Sequence, residues 1–307
     1  MKLSIVTTLY HSAPYIEEFY KRIVKTGDKI TDDYEIIFVN DGSPDNSLDI
    51  AVNLCKNDSK IKIIDLSRNF GHHKAIMTGF QHAKGDYIFL IDSDLEEDPE
   101  LLIRFYEEME KYGIIDVVYG YQKKRKGKVF ERISGHVFYK ILHFFVTKEY
   151  PKNTLTARLM KRKYVDAVTK FSEKDYDLWC IFISAGFNQK GIYVDKTCKG
   201  SSEYNFTRKV MMLVNTITSS TSKPLFLIFL AGIMISAFSF IYMIYLLINK
   251  LLTNVAIGWT SVLASIWLIG GIMMFAIGIV GIYLSKIYIE VKNRPNSITK
   301  NIYSNEK

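Results

Sequence analysis

Four apolar runs of strand length punctuate the first hundred residues: Leu3 to Thr8, Glu35 to Val39, Ile61 to Leu66 and Tyr87 to Ile91. They are rich in β-branched and aromatic residues, the composition of strands covered on both faces. Between them the pattern changes to helical spacing. Ser12 and Pro14 open a segment in which Ile16, Phe19, Tyr20, Ile23 and Val24 recur on one face until Gly27 stops it. Leu48, Ala51, Val52 and Leu54 mark a second helix, and Ala75, Ile76 and Phe80 a third. Regular alternation of strand and helix predicts an α/β fold: a mainly parallel sheet, right-handed crossovers and helices on both faces.

After Pro224 the pattern is neither. Leu225 to Ile248 and Trp259 to Ser285 contain no Asp, Glu, Lys or Arg, and each exceeds the roughly 20 residues that cross a bilayer. A C-terminal two-helix transmembrane hairpin is expected, with Gly232, Gly270, Gly271, Gly278 and Gly281 allowing close approach. Lys199, Arg208, Lys209 and Lys223 precede the first run, Lys286, Lys292, Arg294 and Lys300 follow the second, and Lys250 alone lies in the connection. That bias puts both flanks in the cytoplasm, so a multi-pass protein of the cytoplasmic membrane is expected. The opening residues turn polar at Thr7 and Thr8 rather than continuing as a secretory leader. The expected organisation is a catalytic domain over 1–200, an amphipathic juxtamembrane segment over 201–223, spans over 224–248 and 259–285, and a basic cytoplasmic tail over 286–307.

Charge and cysteine usage narrow the picture further. The net charge of +8 gathers in Lys123 to Lys128 and around the spans, which suits anionic lipid headgroups better than nucleic acid. Three cysteines without metal-ligand spacing suggest neither a disulfide framework nor a zinc site. The stretch Val129 to Val146 interleaves Arg132, His136, Lys140 and His143 with apolar residues, which fits an interfacial helix and a helix packed on the sheet equally well.

The candidate chemistry lies where the strands end. Thr8 to Tyr10, Asp41, Arg68 and Asp92-Ser93-Asp94 each fall just past a strand's carboxyl end, so a parallel sheet brings them to one rim. Two carboxylates one residue apart offer hard oxygens to a divalent cation. Asp41 could accept hydrogen bonds from a base or ribose, and Arg68 could pair with a phosphate. Each also has a plainer reading: Asp41-Gly42 as a turn, Arg68 as a surface ion pair, the Asp pair as a strand end. Neither Gly-x-Gly-x-x-Gly nor a Walker lysine follows the first strand, which argues against dinucleotide and P-loop sites.

The motifs Asn40-Asp41-Gly42-Ser43 with Asp45 and Ser47, Arg68-Asn69-Phe70-Gly71, and Asp92-Ser93-Asp94-Leu95 resemble those of the inverting family-two glycosyltransferases with a GT-A fold. Arg158-Leu159-Met160, the segment Gly200 to Tyr204 and the C-terminal runs are similar to the membrane-anchored polyprenyl-phosphate hexosyltransferases among them, the dolichyl-phosphate-mannose synthase group. The resemblance covers nearly the whole chain. It implies that Asp92 and Asp94 hold Mg²⁺ or Mn²⁺ on a sugar diphosphate and that Asp41 contacts a uracil. Tyr10, Thr8, Ser93 and Arg68 then lie by the nucleotide, and Arg158 and Lys199 near a lipid-phosphate acceptor. The implied reaction is inverting transfer of a hexose from a nucleotide sugar, UDP-linked, to polyprenyl phosphate. Homo-oligomer formation stays open.

The chain departs from the family pattern at several places. Thr8-Leu9-Tyr10-His11-Ser12 lacks a carboxylate that often helps hold the nucleotide, and Thr156 stands where an Asp base is usual. Asp175 and Asp177 are candidate substitutes for that base or a solvated acidic turn. An already anionic lipid phosphate needs no base. Glu203 replaces an expected lysine, and no Gln-x-x-Arg-Trp signature of processive synthases is present. Transfer to another lipid or saccharide, or nucleotide-sugar binding without turnover, are the alternatives. His72 and His73 are expected at a helix start near the nucleotide.

Overall fold

The computed structural model describes residues 2–122, 140–141, 144–145, 153–194, 206–252 and 258–305. The four apolar runs are strands β1 (Leu3–Leu9), β2 (Tyr34–Asn40), β3 (Ile61–Leu66) and β4 (Tyr87–Leu90), joined by helices α1 (Ile16–Gly27), α2 (Ser47–Asn57) and α3 (His72–His82). α1 buries Ile16, Phe19 and Ile23 on one stripe. Its Glu17 and Glu18 sit in the first turn and Lys25 in the last, the charge order that suits the helix dipole.

β1 lies between β2 and β4 and is parallel to both, and β3 continues the parallel set beyond β2. The sheet is then extended by α4 (Leu101–Tyr112), β5 (Val117–Tyr121), β6 (Thr154–Lys161), α5 (Arg162–Val168), α6 (Leu178–Ser184) and β7 (Gln189–Tyr193). β6 runs antiparallel to β4 and β5, so the sheet is mixed around a parallel centre. Successive strand residues face opposite layers. Ile5, Phe38 and Phe89 pack with Phe19 and Phe105 of α1 and α4, whereas Val6, Val39 and Leu90 pack with Phe80, Tyr164 and Phe182 of α3, α5 and α6. The α3 layer is tight, since a Cβ on Gly79 would stand 2.4 Å from Val6 Cγ1. The expected α/β architecture with helices on both faces is therefore observed. Winding out from β1 in both directions opens a crevice at its carboxyl end.

Two boundaries differ from expectation. β4 ends at Leu90, one residue before the end of the apolar run, where its ladder with Arg158 of β6 stops; Asp92 to Asp94 still lie just past the strand, as expected. Residues Thr299–Ser304, expected within a basic tail, form β8 and pair antiparallel with β3, completing the order β7-β5-β6-β4-β1-β2-β3-β8. Only Ile302 and Tyr303 in that stretch are apolar, too few to signal a strand; the open edge of β3 supplies the ladder.

Between β7 and β8 come α7 (Phe206–Ser220), α8 (Lys223–Leu252) and α9 (Trp259–Val291). Among the described residues Ile269–Val291 is long and apolar enough to cross a membrane. The pair Leu213–Ser220 and Lys223–Ile235, bent by 85°, makes a second candidate if it counts as one span. The amphipathic stretch Val129 to Val146 lies almost wholly outside the described residues.

Candidate active site at the carboxyl rim of the sheet

The turn after β2 is wired to its neighbours almost atom by atom. Asp41 is 2% exposed, and its carboxylate accepts the backbone N–H groups of Phe70 (2.7 Å) and Gly71 (3.0 Å). Burial pushes its carboxyl up, against the pull of those two N–H groups and of nearby His72. Gly42 sits at φ +61, and a Cβ there would stand 2.5 Å from the backbone of Arg68 and Asn69, so only glycine fits. Asp45 accepts from Ser43 Oγ (2.6 Å), Ser47 Oγ (2.5 Å) and the backbone N–H of Ala13 (3.1 Å). Burial opposes its ionisation, but these donors outweigh it and hold the carboxyl at about 2. Asp41, expected at the uracil, thus serves first to shape the Arg68 to Gly71 loop.

That loop leaves Arg68 exposed, its guanidinium 4.5 Å from the centre of the Phe70 ring. Tyr10, 48% exposed, stands edge-on to His11 at 4.6 Å across the same opening. These two groups, not the acids of the β2 turn, are free to meet a ligand from this side.

On the β4 side, Asp92 is partly exposed and Asp94 Oδ1 accepts the Glu96 N–H at 2.9 Å. Ser93 is buried between them; its hydroxyl donates to Thr8 O (3.0 Å) and lies 3.0 Å from Ser12 Oγ, fastening the acidic turn to β1. Thr8 Oγ1 lies 3.1 Å from His72 Nδ1, and His72 Nε2 lies 3.5 Å from Asp92 Oδ1. The expected residues Thr8, Tyr10, Asp41, Arg68, Asp92, Ser93 and Asp94 are therefore brought to one rim. Thr8 and Ser93 bond to protein partners there. No cluster of three or more His, Cys, Asp or Glu suited to a metal ion occurs among the described residues.

Arg158 lies elsewhere than an open acceptor site. Only 2% exposed, it is stacked 3.7 Å from the Phe182 ring centre and 4.4 Å from that of Trp179. The reason is register: Arg158 pairs with Leu90, two residues short of Asp92, and faces the α6 layer. Lys199 lies outside the described residues.

Sequence reading missed Glu97. It is 2% exposed and accepts the N–H groups of Thr156 (3.0 Å) and Ala157 (2.6 Å), tying the acidic turn to β6. A glutamate in Leu95-Glu96-Glu97-Asp98 carries no local signal for such a partner sixty residues away. Asp175 and Asp177 are not a solvated turn either. Asp175 pairs with Lys286 of α9. Asp177 caps α6 by accepting the Trp179 N–H (3.0 Å), and the Thr216 hydroxyl of α7 donates to it at 3.2 Å. His73 Nδ1 faces the Leu178 N–H at 3.4 Å. Burial pushes the His73 imidazole down, against the charge of Asp177.

With this geometry in place, the comparisons with known proteins decide the family. The profile of glycosyl transferase family 2 matches residues 4–169, more than half of the chain. The chain belongs to that family. This glycosyltransferase is similar along its whole length to a Mycobacterium tuberculosis (strain CDC 1551 / Oshkosh) protein that carries a glycosyltransferase name. That relative is 46% identical over 307 residues, which cover 100% of this chain and 90% of the relative. YkcC of Bacillus subtilis (strain 168), also named a glycosyltransferase, is 36% identical over 100% of this chain and 95% of its own. A bactoprenol glucosyl transferase of Shigella flexneri, prophage-derived, is 29% identical over 98% of both chains. Among solved structures, S. aureus TarS with UDP-GlcNAc aligns at 17% identity and a TM-score of 0.46, covering 72% of this chain and 68% of that one.

Proposed function

We propose that this glycosyltransferase moves a hexose from a UDP-sugar to a polyprenyl phosphate, with inversion and with a divalent cation, at the cytoplasmic face of a membrane that α8 and α9 both cross. The observation that carries the acceptor class is the extent of the likeness. The bactoprenol glucosyl transferase match takes in 98% of this chain, the C-terminal apolar helices together with the sheet. A lipid acceptor gives those helices a reason to be joined to a sugar-transferring domain.

The donor set suits Mg²⁺ or Mn²⁺. Magnesium is commonly held by one or two carboxylates while substrate phosphates and water fill its remaining positions. Asp92 and Asp94 offer that pair of hard ligands, and His72 Nε2 lies 3.5 Å from Asp92 Oδ1. When bound, the cation would neutralise charge on the departing nucleoside diphosphate. Arg68 and Tyr10 are the exposed groups at hand for the nucleotide. A phosphate monoester is anionic near neutral pH, so Thr156 in place of a carboxylate base costs the reaction nothing. Arg158 contributes positive potential from beneath the acceptor side, and Lys199 is assigned to the same side by its place in the sequence.

The test uses membranes carrying the full chain, labelled UDP-hexoses, Mn²⁺ and undecaprenyl phosphate. Label entering the organic-extractable lipid, dependent on metal and lost in Asp94→Asn, is the expected result. Absence of labelled lipid with every donor, beside an active bactoprenol glucosyl transferase, would overturn the reading.

A further inference from the structure

The chain beyond α9 does little for the core and much for one loop. Among the described residues the buried hydrophobic core takes nothing from after Ile217. Of the apolar residues of β8, Tyr303 alone packs against that core, and Ile302 is 49% exposed. Covering the open edge of β3 accounts for a ladder, but not for the path this one takes. From Lys62 opposite Ser304 to Asp65 opposite Asn301 the pairing is regular; then Lys300 is skipped and Leu66 faces Thr299. An extra residue bends the strand that carries it. β8 thereby stays beside the chain as β3 ends and the loop to α3 begins.

The next contacts fall on that loop and on α3. The Ser67 N–H donates to Ile298 O at 2.9 Å. Thr78 Oγ1 gives its one proton to Lys74 O (2.8 Å), so the bond of 2.7 Å between Thr78 and Ser297 is donated by the Ser297 hydroxyl. On the opposite side, Asp41 holds the N–H groups of Phe70 and Gly71, and the backbone of Arg68 and Asn69 passes against Gly42. Arg68 and Asn69 therefore lie between two anchors, one from the β2 turn and one from the far end of the chain. The tail is itself fixed at both ends. Asn296 Nδ2 donates to Glu173 O (3.3 Å) and Asn305 Nδ2 to Lys56 O (3.0 Å) at the end of α2.

From this arrangement we infer that Ser297 to Ser304 are positioning residues for the sugar-nucleotide donor, acting through Arg68; the inference rests on the placing of Arg68 at the donor in the reading above. The tail fixes the backbone from which the exposed guanidinium projects. A side chain presented on a settled backbone loses less freedom when a phosphate or base arrives, which strengthens binding without adding a contact. The effect falls on donor affinity rather than on the chemical step.

The test compares full-length enzyme in nanodiscs with a chain stopped after Asn296. The shortened chain is expected to bind UDP with Mn²⁺ about three- to tenfold more weakly, the size of one side chain left to be ordered on binding. The loss appears in KM for the donor, with kcat and the lipid KM retained. A synthetic peptide of Ser297 to Asn305 restores the affinity, and a scrambled peptide does not. In an Arg68→Ala background the same shortening adds no further loss, because the two changes act on one group. A tail that only covers the sheet edge lowers the thermal midpoint and leaves donor KM unchanged below the transition. Full UDP affinity in the shortened chain overturns the inference, as does a loss that simply adds to that of Arg68→Ala. If the shortened chain does not fold, Ser297→Ala and Ser297→Thr in the full chain decide. The alanine weakens UDP binding by about threefold, one hydrogen bond's worth, and the threonine restores it; wild-type affinity in both overturns the inference. Failure of the donor reading itself appears differently, as no binding of UDP by the wild type.

Discussion

The two flanks of the crevice are built by opposite means. On the β2–β3 side, polar side chains are consumed by the protein: Asp41 holds the N–H groups of Phe70 and Gly71, and Asp45 gathers Ser43, Ser47 and Ala13. On the β6 side, the charged groups are held by aromatic rings and by the C-terminal helices, Arg158 under Phe182 and Trp179, Asp177 by Thr216, Asp175 by Lys286. The first flank is a rigid mould whose ligand contacts are made by the few groups left over. The second ties that wall of the site to the apolar helices. Asp92 and Asp94 sit between the two.

The sharpest way to break this contrast is to remove the acids in the middle. Asp92→Asn or Asp94→Asn is expected to lower transfer by roughly 100-fold or more while leaving the thermal unfolding midpoint near that of the wild type. Equal activity in both variants would reduce the pair to a turn. Next in size is Gly42→Ala, which places a methyl group against the Arg68 backbone at a positive φ. A loss of about 1–3 kcal/mol of stability, seen in chemical unfolding, should accompany weaker UDP binding. Glu97→Gln probes the other flank. Replacing a charged acceptor of two buried N–H groups by an amide should cost about 1–3 kcal/mol and raise the KM for the acceptor more than that for the donor.

The smallest expected effect is a pH dependence. His73 has its imidazole pKa pushed down by burial, so below the ordinary value, about 6.5, the unfolded chain takes up protons that the folded one refuses. Stability on this account is complete above that pH and falls as the medium is acidified past it. His73→Asn should flatten that slope between pH 7 and pH 5. Asp45 acts far lower: its contribution is intact above the usual carboxylate value and is lost as pH falls toward about 2.

Much of the sheet was legible because each central strand is apolar on both faces and each helix repeats at its own period. The rim residues were legible for the same reason, since a parallel sheet collects strand ends. What escaped was the partner of each polar group. Nothing near Asp41 in sequence reveals that its carboxylate bonds a loop 29 residues on, and nothing near Glu97 points to Thr156. The packing of Arg158 escaped for a related reason: a guanidinium suggests an anion, and nothing in the sequence reveals the register that sets it among the rings of Phe182 and Trp179. β8 was hidden because its strand character resides in the exposed edge it joins, not in its own residues.

The return of the chain to that edge has a mechanical consequence. Ile298 O accepts the Ser67 N–H (2.9 Å), and the Ser297 hydroxyl meets that of Thr78 (2.7 Å), so the stretch leaving α9 is stitched to both ends of the segment carrying Arg68. The globular head is thereby suspended from its apolar helices by two straps rather than one. Two attachments restrain rotation of that head against the helices, where a single one would leave it free to turn.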